Sequence, residues 1–553
     1  MRRPAAAAHR RVSGKGLSMN SSENNSISLL SPDGIPDGFG DSGALCEETA
    51  QQLELYSLID MHSGKLGAFF TCDAAAIRYR QETFADLSEY PEIARVLSRM
   101  LPFLDDITEL RRMSVSEAGV GDGYLYAISE IEIYTSLMQY LHDELLPFSD
   151  KVSSPALKKL CAKISELTEG EYFKGLTDSL NSLASRVRDI RSITVGVNLD
   201  RRMTPESAGV VSVNSERFKS GEFFDRVRRL DFKKDDMTFM AELIPYTKEQ
   251  PENRRLALSN ALNNAISDIF KTSLRSWKKT VGSYVIENTD FLIRMIPEIE
   301  FAAKGTELIE KLKARGCPLC TPEILEGDDN SFFARGLINP VIALKTEGEL
   351  VPNDISFDRD AMIHVITGPN RGGKSVLTCA VGQAFAMAQM GLPVAAESIS
   401  LCCCDKILTH FPTGSEDTVE KGRLGEECDR LCRIFDEVTS KSLVLLDESL
   451  SSTGSFEGAY IASEVLEGFS MARLRCIFST HLHDLAASVD RINAECRKGG
   501  GVPIDNMVAE VTEGKRSFKI VRKTPDGKSY ARDIAEKYGL SLDRIMEKLK
   551  NRL

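Results

Sequence analysis

The sequence predicts a C-terminal α/β domain built on parallel strands, preceded by a mostly α-helical region that carries a small β-containing insert. Three observations predict it. Residues 368–375 read Gly-Pro-Asn-Arg-Gly-Gly-Lys-Ser, between the apolar run Met362–Ile366 and the Ala-rich stretch Val376–Met390. Two further strand-like runs, Ser442–Leu446 and Arg475–Phe478, lead directly into Asp447-Glu448 and Ser479-Thr480-His481. From Glu48 to about Ser185 Gly and Pro are few and the spacing is helical. Short buried strands alternating with helical stretches are the pattern of a parallel sheet covered by helices.

Taken in order, residues 1–47 predict a disordered segment. The first 18 residues carry five Arg/Lys and no acid, but no apolar core of a secretory signal. A transit-type leader and a true start at Met19 both fit that stretch. Residues 20–45 are rich in Ser, Asn, Gly and Pro, a composition too polar to bury a core. Residues 48–190 form the first helical part. Residues 191–235 form the insert, where Ile193–Asn198 and Gly209–Asn214 alternate β-branched residues with Gly and Asn, as two short strands would. Residues 236–315 return to helical spacing, with Leu262, Ile266, Phe270, Leu274 and Trp277 on one face, a stripe that reads as core. The α/β domain spans 316–500, and 501–553 form a separate C-terminal segment.

Strand, glycine-rich loop and helix in that order fit G-x-x-x-x-G-K-[ST], the phosphate-binding loop. Gly368, Pro369, Asn370, Arg371, Gly372 and Gly373 form the loop, its glycines letting backbone N–H groups curl around a phosphate, and Lys374, Ser375 and Val376 open the helix whose N-terminus adds partial positive charge. Lys374 is expected to reach the outer phosphates of ATP and Ser375 to ligate Mg²⁺. Asp447 at a strand end completes the Mg²⁺ shell. Glu448 is then placed to polarise the attacking water as general base. His481 follows the third strand on the edge where parallel sheets hold ligands and is expected to act on the γ-phosphate or its water. His483 reads as a surface residue. The chemistry predicted is ATP hydrolysis, with Lys374, Glu448 and His481 as its catalytic side chains.

At 553 residues several domains are expected. A hydrophobic content of 42% and a charged content of 27% are those of ordinary globular proteins, and no apolar run is long enough to span a membrane. Thirteen cysteines do not make a disulfide scaffold in a chain of this length, and Cys402-Cys403-Cys404, consecutive in a strand-like segment, suit reduced thiols, so a reducing cytoplasm is the expected location. Cys317-Pro-Leu-Cys320 is a single CxxC pair without further zinc ligands beside it. A net charge of −12 argues against nucleic-acid binding by the whole surface. Locally the balance reverses: residues 186–234 hold twelve Arg/Lys against seven Asp/Glu, and 511–553 hold twelve against six, so either patch offers a phosphate contact.

Beyond these derivations, five stretches resemble the ATPase of the MutS family. They are Val351-Pro352-Asn353-Asp354, Gly368–Ser375, Ala388–Gly391 with Ala396-Glu397-Ser398, Asp447–Gly458 and Ser479-Thr480-His481. The likeness is dense from about 335 to 490. It implies an ABC-type P-loop ATPase domain with a composite site, each nucleotide held between two subunits of a homodimer. It also implies that the helical region is the family's core and lever, the insert a short DNA clamp, and residues 501–553, with Ser529-Tyr530-Ala531, the helix-turn-helix dimerisation segment. Three places depart from the family. Thr413–Glu427 lies where the family keeps its trans-acting signature; it ends in Lys421–Glu427 and lacks the usual Ser-Thr-Phe-like start, leaving Lys421 and Arg423 to supply charge. Arg371 stands where Met is frequent. Arg335–Pro340 stands where an Arg-His-Pro entry is usual. The Phe-x-Glu reading head of mismatch recognisers has no counterpart in the N-terminal part, since Phe435-Asp436-Glu437 lies in the ATPase stretch.

The expectation is therefore an ATP- and Mg²⁺-dependent homodimeric clamp on duplex, branched or mismatched DNA, linked to repair or recombination, with no membrane association. The alternative is a MutS-like ATPase switch acting on ribosomes or another RNA–protein target.

Overall fold

The structure is a computed structural model that describes residues 27–34, 45–116, 124–171, 173–178, 192–199, 201, 205–214, 241–242, 288–327, 329–412, 422–512, 515–524, 540, 542 and 544–546. The short helix α1 (Glu47–Gln52) precedes α2 (Ala74–Glu89), which starts where Asp73 caps it, accepting a hydrogen bond from Ala75 N at 2.9 Å. Then come α3 (Pro91–Ser116), α4 (Tyr124–Glu144) and α5 (Pro155–Glu169), the first and last with Pro in the opening turn, where its missing N–H costs nothing. The returning helix α6 (Ile296–Ala314) packs on α3 and α2. Leu97, Leu104, Leu137, Leu141 and Ile299 are fully buried between these helices.

The insert is a hairpin, as its alternation predicts. Strands β1 (Ser192–Leu199) and β2 (Pro205–Asn214) pair antiparallel, and the two-residue β3 (Ala241–Glu242) adds to β2. The apolar stripe from Leu262 to Trp277 lies outside the described residues.

The α/β half holds two sheets. One is a four-stranded, mostly antiparallel sheet with order β4-β8-β5-β6, from β4 (Glu323–Ile324), β5 (Phe332–Leu337), β6 (Asn353–Phe357) and β8 (Ser398–Leu401). The other has six strands in the order β13-β12-β7-β11-β10-β9: β7 (Ile363–Thr367), β9 (Ile407–His410), β10 (Leu443–Asp447), β11 (Arg475–Ser479), β12 (Ile504–Thr512) and β13 (Lys515–Arg522). Its strands are parallel except the edge strand β13. Every residue of β7, β10 and β11 is buried, which is why these three read as continuous apolar runs rather than as alternating ones. The helices are α7 (Pro340–Lys345), α8 (Lys374–Gln389), α9 (Gly422–Glu437), α10 (Ser455–Ala472), α11 (His483–Ala487) and α12 (Val489–Gly499). One apolar cluster runs from Leu97 and Phe301 of the helical half through Phe385 of α8 to Leu445 of β10, so the two halves share a core.

Three expectations change. The domain boundary at 500 falls inside the sheet: β12 pairs with β7, Ile504 opposite Ile363, so residues 504–522 complete the α/β domain. Residues 525–539, where the helix-turn-helix is expected to begin, lie outside the described residues. Within the segment 1–47, residues 27–30 are buried, with Ser28, Leu29 and Leu30 fully so. Cys402–Cys404 follow β8 rather than lie in it. There the fully buried Arg475 donates to Cys402 O (2.7 Å), Cys403 O (3.3 Å) and Lys441 O (2.7 Å). Among the described residues no group of three His, Cys, Asp or Glu could hold a metal ion by itself, and no helix is long and apolar enough to cross a membrane.

Candidate functional site at the C-terminal edge of the parallel sheet

Strand β7 delivers the glycine-rich loop to the sheet's C-terminal edge, and α8 leaves from it. The loop needs its glycines for space as much as for conformation. Gly368 has φ +139°, and a Cβ there would lie 2.8 Å from the Cβ of Ala509 in β12. At Gly372 a Cβ would meet Pro369 O at 2.8 Å, and Gly373, at φ +97°, runs beside Phe518 of β13. The wall behind the loop therefore comes from the last two strands. Asn353 fastens that wall, donating to Phe518 O (3.2 Å) and accepting from Ile520 N (2.8 Å). Asn370 and Arg371 are exposed at the tip, with Arg371 at φ +59°. Val376 is exposed too, and its carbonyl accepts from Asn339 Nδ2 at 3.1 Å.

Lys374 is 3% exposed. Its ammonium donates to Gly368 O (3.1 Å) and Pro369 O (3.3 Å) and lies 3.5 Å from Nδ1 of His481. Burial lowers its pKa, and the charges of Glu448 and Asp447 pull against that shift. Asp447 ends β10. Burial pushes its carboxyl up; the hydroxyls of Ser479 and Ser375 pull it down, the charge of Glu448 adds to the rise, and Lys374 opposes it. One of its oxygens, Oδ1, is buried without a hydrogen-bond partner among the protein atoms. A bare carboxylate oxygen beside a serine hydroxyl is what a hard cation such as Mg²⁺ takes as ligand, so the residues present fit that ion.

Glu448 sits at φ +50°, a conformation that L-residues rarely adopt and that clusters at functional sites. Its N–H donates to Ser479 O at 2.8 Å, and its Oε1 is 2.8 Å from His481 Nε2. The exit of β11 is tied to β7, the strand before the glycine-rich loop, by Thr480 N to Ile366 O, 2.9 Å. Since β11 lies between β7 and β10, His481 falls between the loop lysine and Glu448, making a continuous Lys374–His481–Glu448 chain. His483 is exposed on α11.

Two parts escape the sequence reading. The Ala509–Phe518 wall is one. The other is His410 at the end of β9, whose Nδ1 lies 2.6 Å from Ser449 Oγ, directly after the Asp447-Glu448 pair. Burial, with Arg430 adding to it, pushes His410 down to about 4, so it is neutral at physiological pH. The signal available is position alone: a His at the end of the strand beside β10. Residues 413–421 of the expected trans-acting segment lie outside the described residues, and the rest of it, from Gly422, opens α9.

The close approach of Gly368 and Ala509 makes a direct prediction. Gly368→Ala is expected to cost about 1–3 kcal/mol through backbone strain and overpacking. Ala509→Gly in the same chain should recover part of it. Thermal melts of the two single variants and the double variant measure the coupling, and additive effects would contradict the close approach.

A glycine-rich loop between a buried strand and a helix, with an acidic pair two strands away on the same edge, marks out a mixed α/β domain. The model of MutS domain V matches residues 364–550, and that of the MutS2 N-terminal domain matches residues 72–315. The chain is 27% identical over 477 residues to the DNA mismatch repair protein MutS of Synechococcus sp., covering 83% of this chain and 48% of that protein. It is 32% identical over 233 residues to the protein of the same name from Clostridium tetani, covering 41% of this chain and 25% of that one. The chain belongs to the MutS family, and it spans about half or less of the length of these curated relatives.

Proposed function

We propose that this chain is an ATPase of ABC type that couples ATP hydrolysis to movement of a helical clamp on DNA, working as a homodimer with composite nucleotide sites. The observation that carries the reading is the convergence of Lys374, Asp447, Glu448 and His481 on one sheet edge, with Glu448 and His481 2.8 Å apart. The strand order, with β11 between β7 and β10, supports the ABC-type assignment. In this reading the backbone of Gly368–Gly373 and the start of α8 cradle the phosphates, while Val376 borders the nucleotide beside Ser375. Lys374 neutralises phosphate charge. Ser375 and Asp447 hold Mg²⁺, which when bound offsets charge on the phosphates. Glu448 takes the proton of the attacking water at its carboxylate, and His481 holds Glu448 in place and relays its position to Lys374. Catalysis is positioning plus charge neutralisation.

DNA binding is proposed for the insert and the basic stretch around it. Neutralising Arg201, Arg202 and Arg217 together is expected to weaken DNA binding and flatten its salt dependence by about 0.9 in log–log slope for each phosphate left without its cation. An unchanged slope would move the DNA interface elsewhere. One rival reading is a switch that acts on the ribosome or another RNA–protein target, since the same nucleotide site would serve either. ATP turnover measured alone, then with mismatched duplex, four-way junction, single strand and ribosomes, decides between them. Stimulation by DNA supports the clamp. Stimulation by ribosomes alone overturns it and leaves the catalytic assignment standing.

A further inference from the structure

Residues 28–31 are bound to the helical half as a peptide ligand would be. Glu298 of α6, 1% exposed, accepts from Ser28 Oγ at 2.6 Å and from Leu29 N at 2.8 Å. From α2, Tyr79 Oη donates to Ser28 O (3.0 Å), Thr83 Oγ1 to Leu29 O (3.1 Å) and Arg80 Nε to Leu30 O (2.7 Å). Ser28 Oγ in turn accepts from Leu30 N (3.1 Å) and Ser31 N (2.8 Å), closing a turn. All three carbonyls of Ser28–Leu30 are thus read by side chains, and the Leu29 and Leu30 side chains are fully buried. Arg80 is 5% exposed, and both carboxylate oxygens of Glu298 accept from this segment. With the segment in place both side chains are buried, and its backbone and hydroxyl supply hydrogen bonds that offset the cost of that burial.

The same cleft touches the nucleotide-site helix. Arg80 packs against Gly391, at φ +84°, which follows the C-terminal end of α8, so closely that no Cβ would fit there. Gly305 of α6 lies against Leu392, where a Cβ would approach to 2.9 Å. Helix α8 is the one that starts at Lys374.

We propose that the cleft between α2 and α6 is a peptide-binding groove, occupied in cis by Ser28-Leu29-Leu30, and that this occupancy clamps α2 and α6 onto the far end of α8. The groove recognises a turn-forming segment with a hydroxyl, two leucine side chains and three consecutive backbone carbonyls. Its coupling role rests on the proposed nucleotide reading; the binding itself does not.

The test uses the full chain carrying Leu29→Asp and Leu30→Asp, and a fluorescently labelled peptide of residues 27–34. The variant is expected to bind the peptide with micromolar affinity, and the wild type, its groove filled, at least about tenfold more weakly. Adding Glu298→Gln should lower the variant's affinity about tenfold, because the charged acceptor becomes a neutral one. A folded variant that binds no peptide overturns the proposal. Should the variant fail to fold, hydrogen exchange in the wild type decides: the Leu29 and Leu30 amides are expected to exchange as slowly as those of α2, and rapid exchange overturns the groove. For the coupling, peptide added to the variant with an ATP analogue bound should restore slow exchange in 296–314. A wild type that binds no ATP would sink the nucleotide reading and leave the peptide result intact. A variant that binds both, without any change in 296–314, would sink the coupling alone.

Discussion

Glu448→Gln is expected to lower steady-state ATP turnover by about 10²- to 10⁴-fold while leaving ATP bound. The carboxylate stands at the strand end where water can reach it, half-buried and 2.8 Å from His481 Nε2. Gln keeps the shape and can still bond His481, so the φ +50° backbone and the strand-end turn should survive. What disappears is the ability to accept a proton. A fall in kcat with an unchanged nucleotide affinity is therefore the signature, read by parallel turnover and equilibrium-binding measurements. Normal turnover would assign the base to another residue. His481→Ala tests the positioning role beside it: a fall in kcat that His481→Gln shows only in part supports a hydrogen-bonding rather than a charged role.

Lys374→Ala is expected to weaken ATP binding by roughly two to three orders of magnitude, as about 3–4 kcal/mol of phosphate neutralisation is removed. The sign follows from the charges left behind. Asp447 and Glu448 both act on the Lys374 ammonium, and without it they face a polyanion with no fixed cation between them. The fold should tolerate the change, because the ammonium bonds Gly368 O, Pro369 O and His481 at the sheet edge and holds nothing in the core. Titration with a fluorescent ATP analogue measures it, and wild-type affinity in a folded variant would contradict the loop assignment.

The parts of the molecule legible in the sequence are those whose burial is written locally. Ile363–Thr367, Leu443–Asp447 and Arg475–Ser479 are buried on both faces, so each shows as an apolar run with its site residue at the end. The insert shows through its β-branched alternation. What could not be read is set by distant partners. Strand β12 carries Asp505, Asn506 and Glu510 among its apolar residues and belongs to the sheet only because β7 is there to receive it. Ser28–Leu30 sits in a polar stretch, and its burial depends on Glu298, 270 residues away from Ser28. His410 meets Ser449 through a parallel pairing that aligns it with Leu446.

The late position of β12 and β13 orders the making of the molecule. During synthesis β7 and the glycine loop leave the ribosome first, then β9, β10 and β11, while the loop's back wall waits for Ala509 and Phe518. Asn353 meets its partner Phe518 only 165 residues later. Until then β7 has one unpaired edge, five buried residues long, of the kind that recruits other chains. A released chain truncated between 480 and 500 should therefore hold four of the six strands in a sheet that aggregates and takes up no nucleotide, with the ability to hold phosphate arriving only with the next two strands.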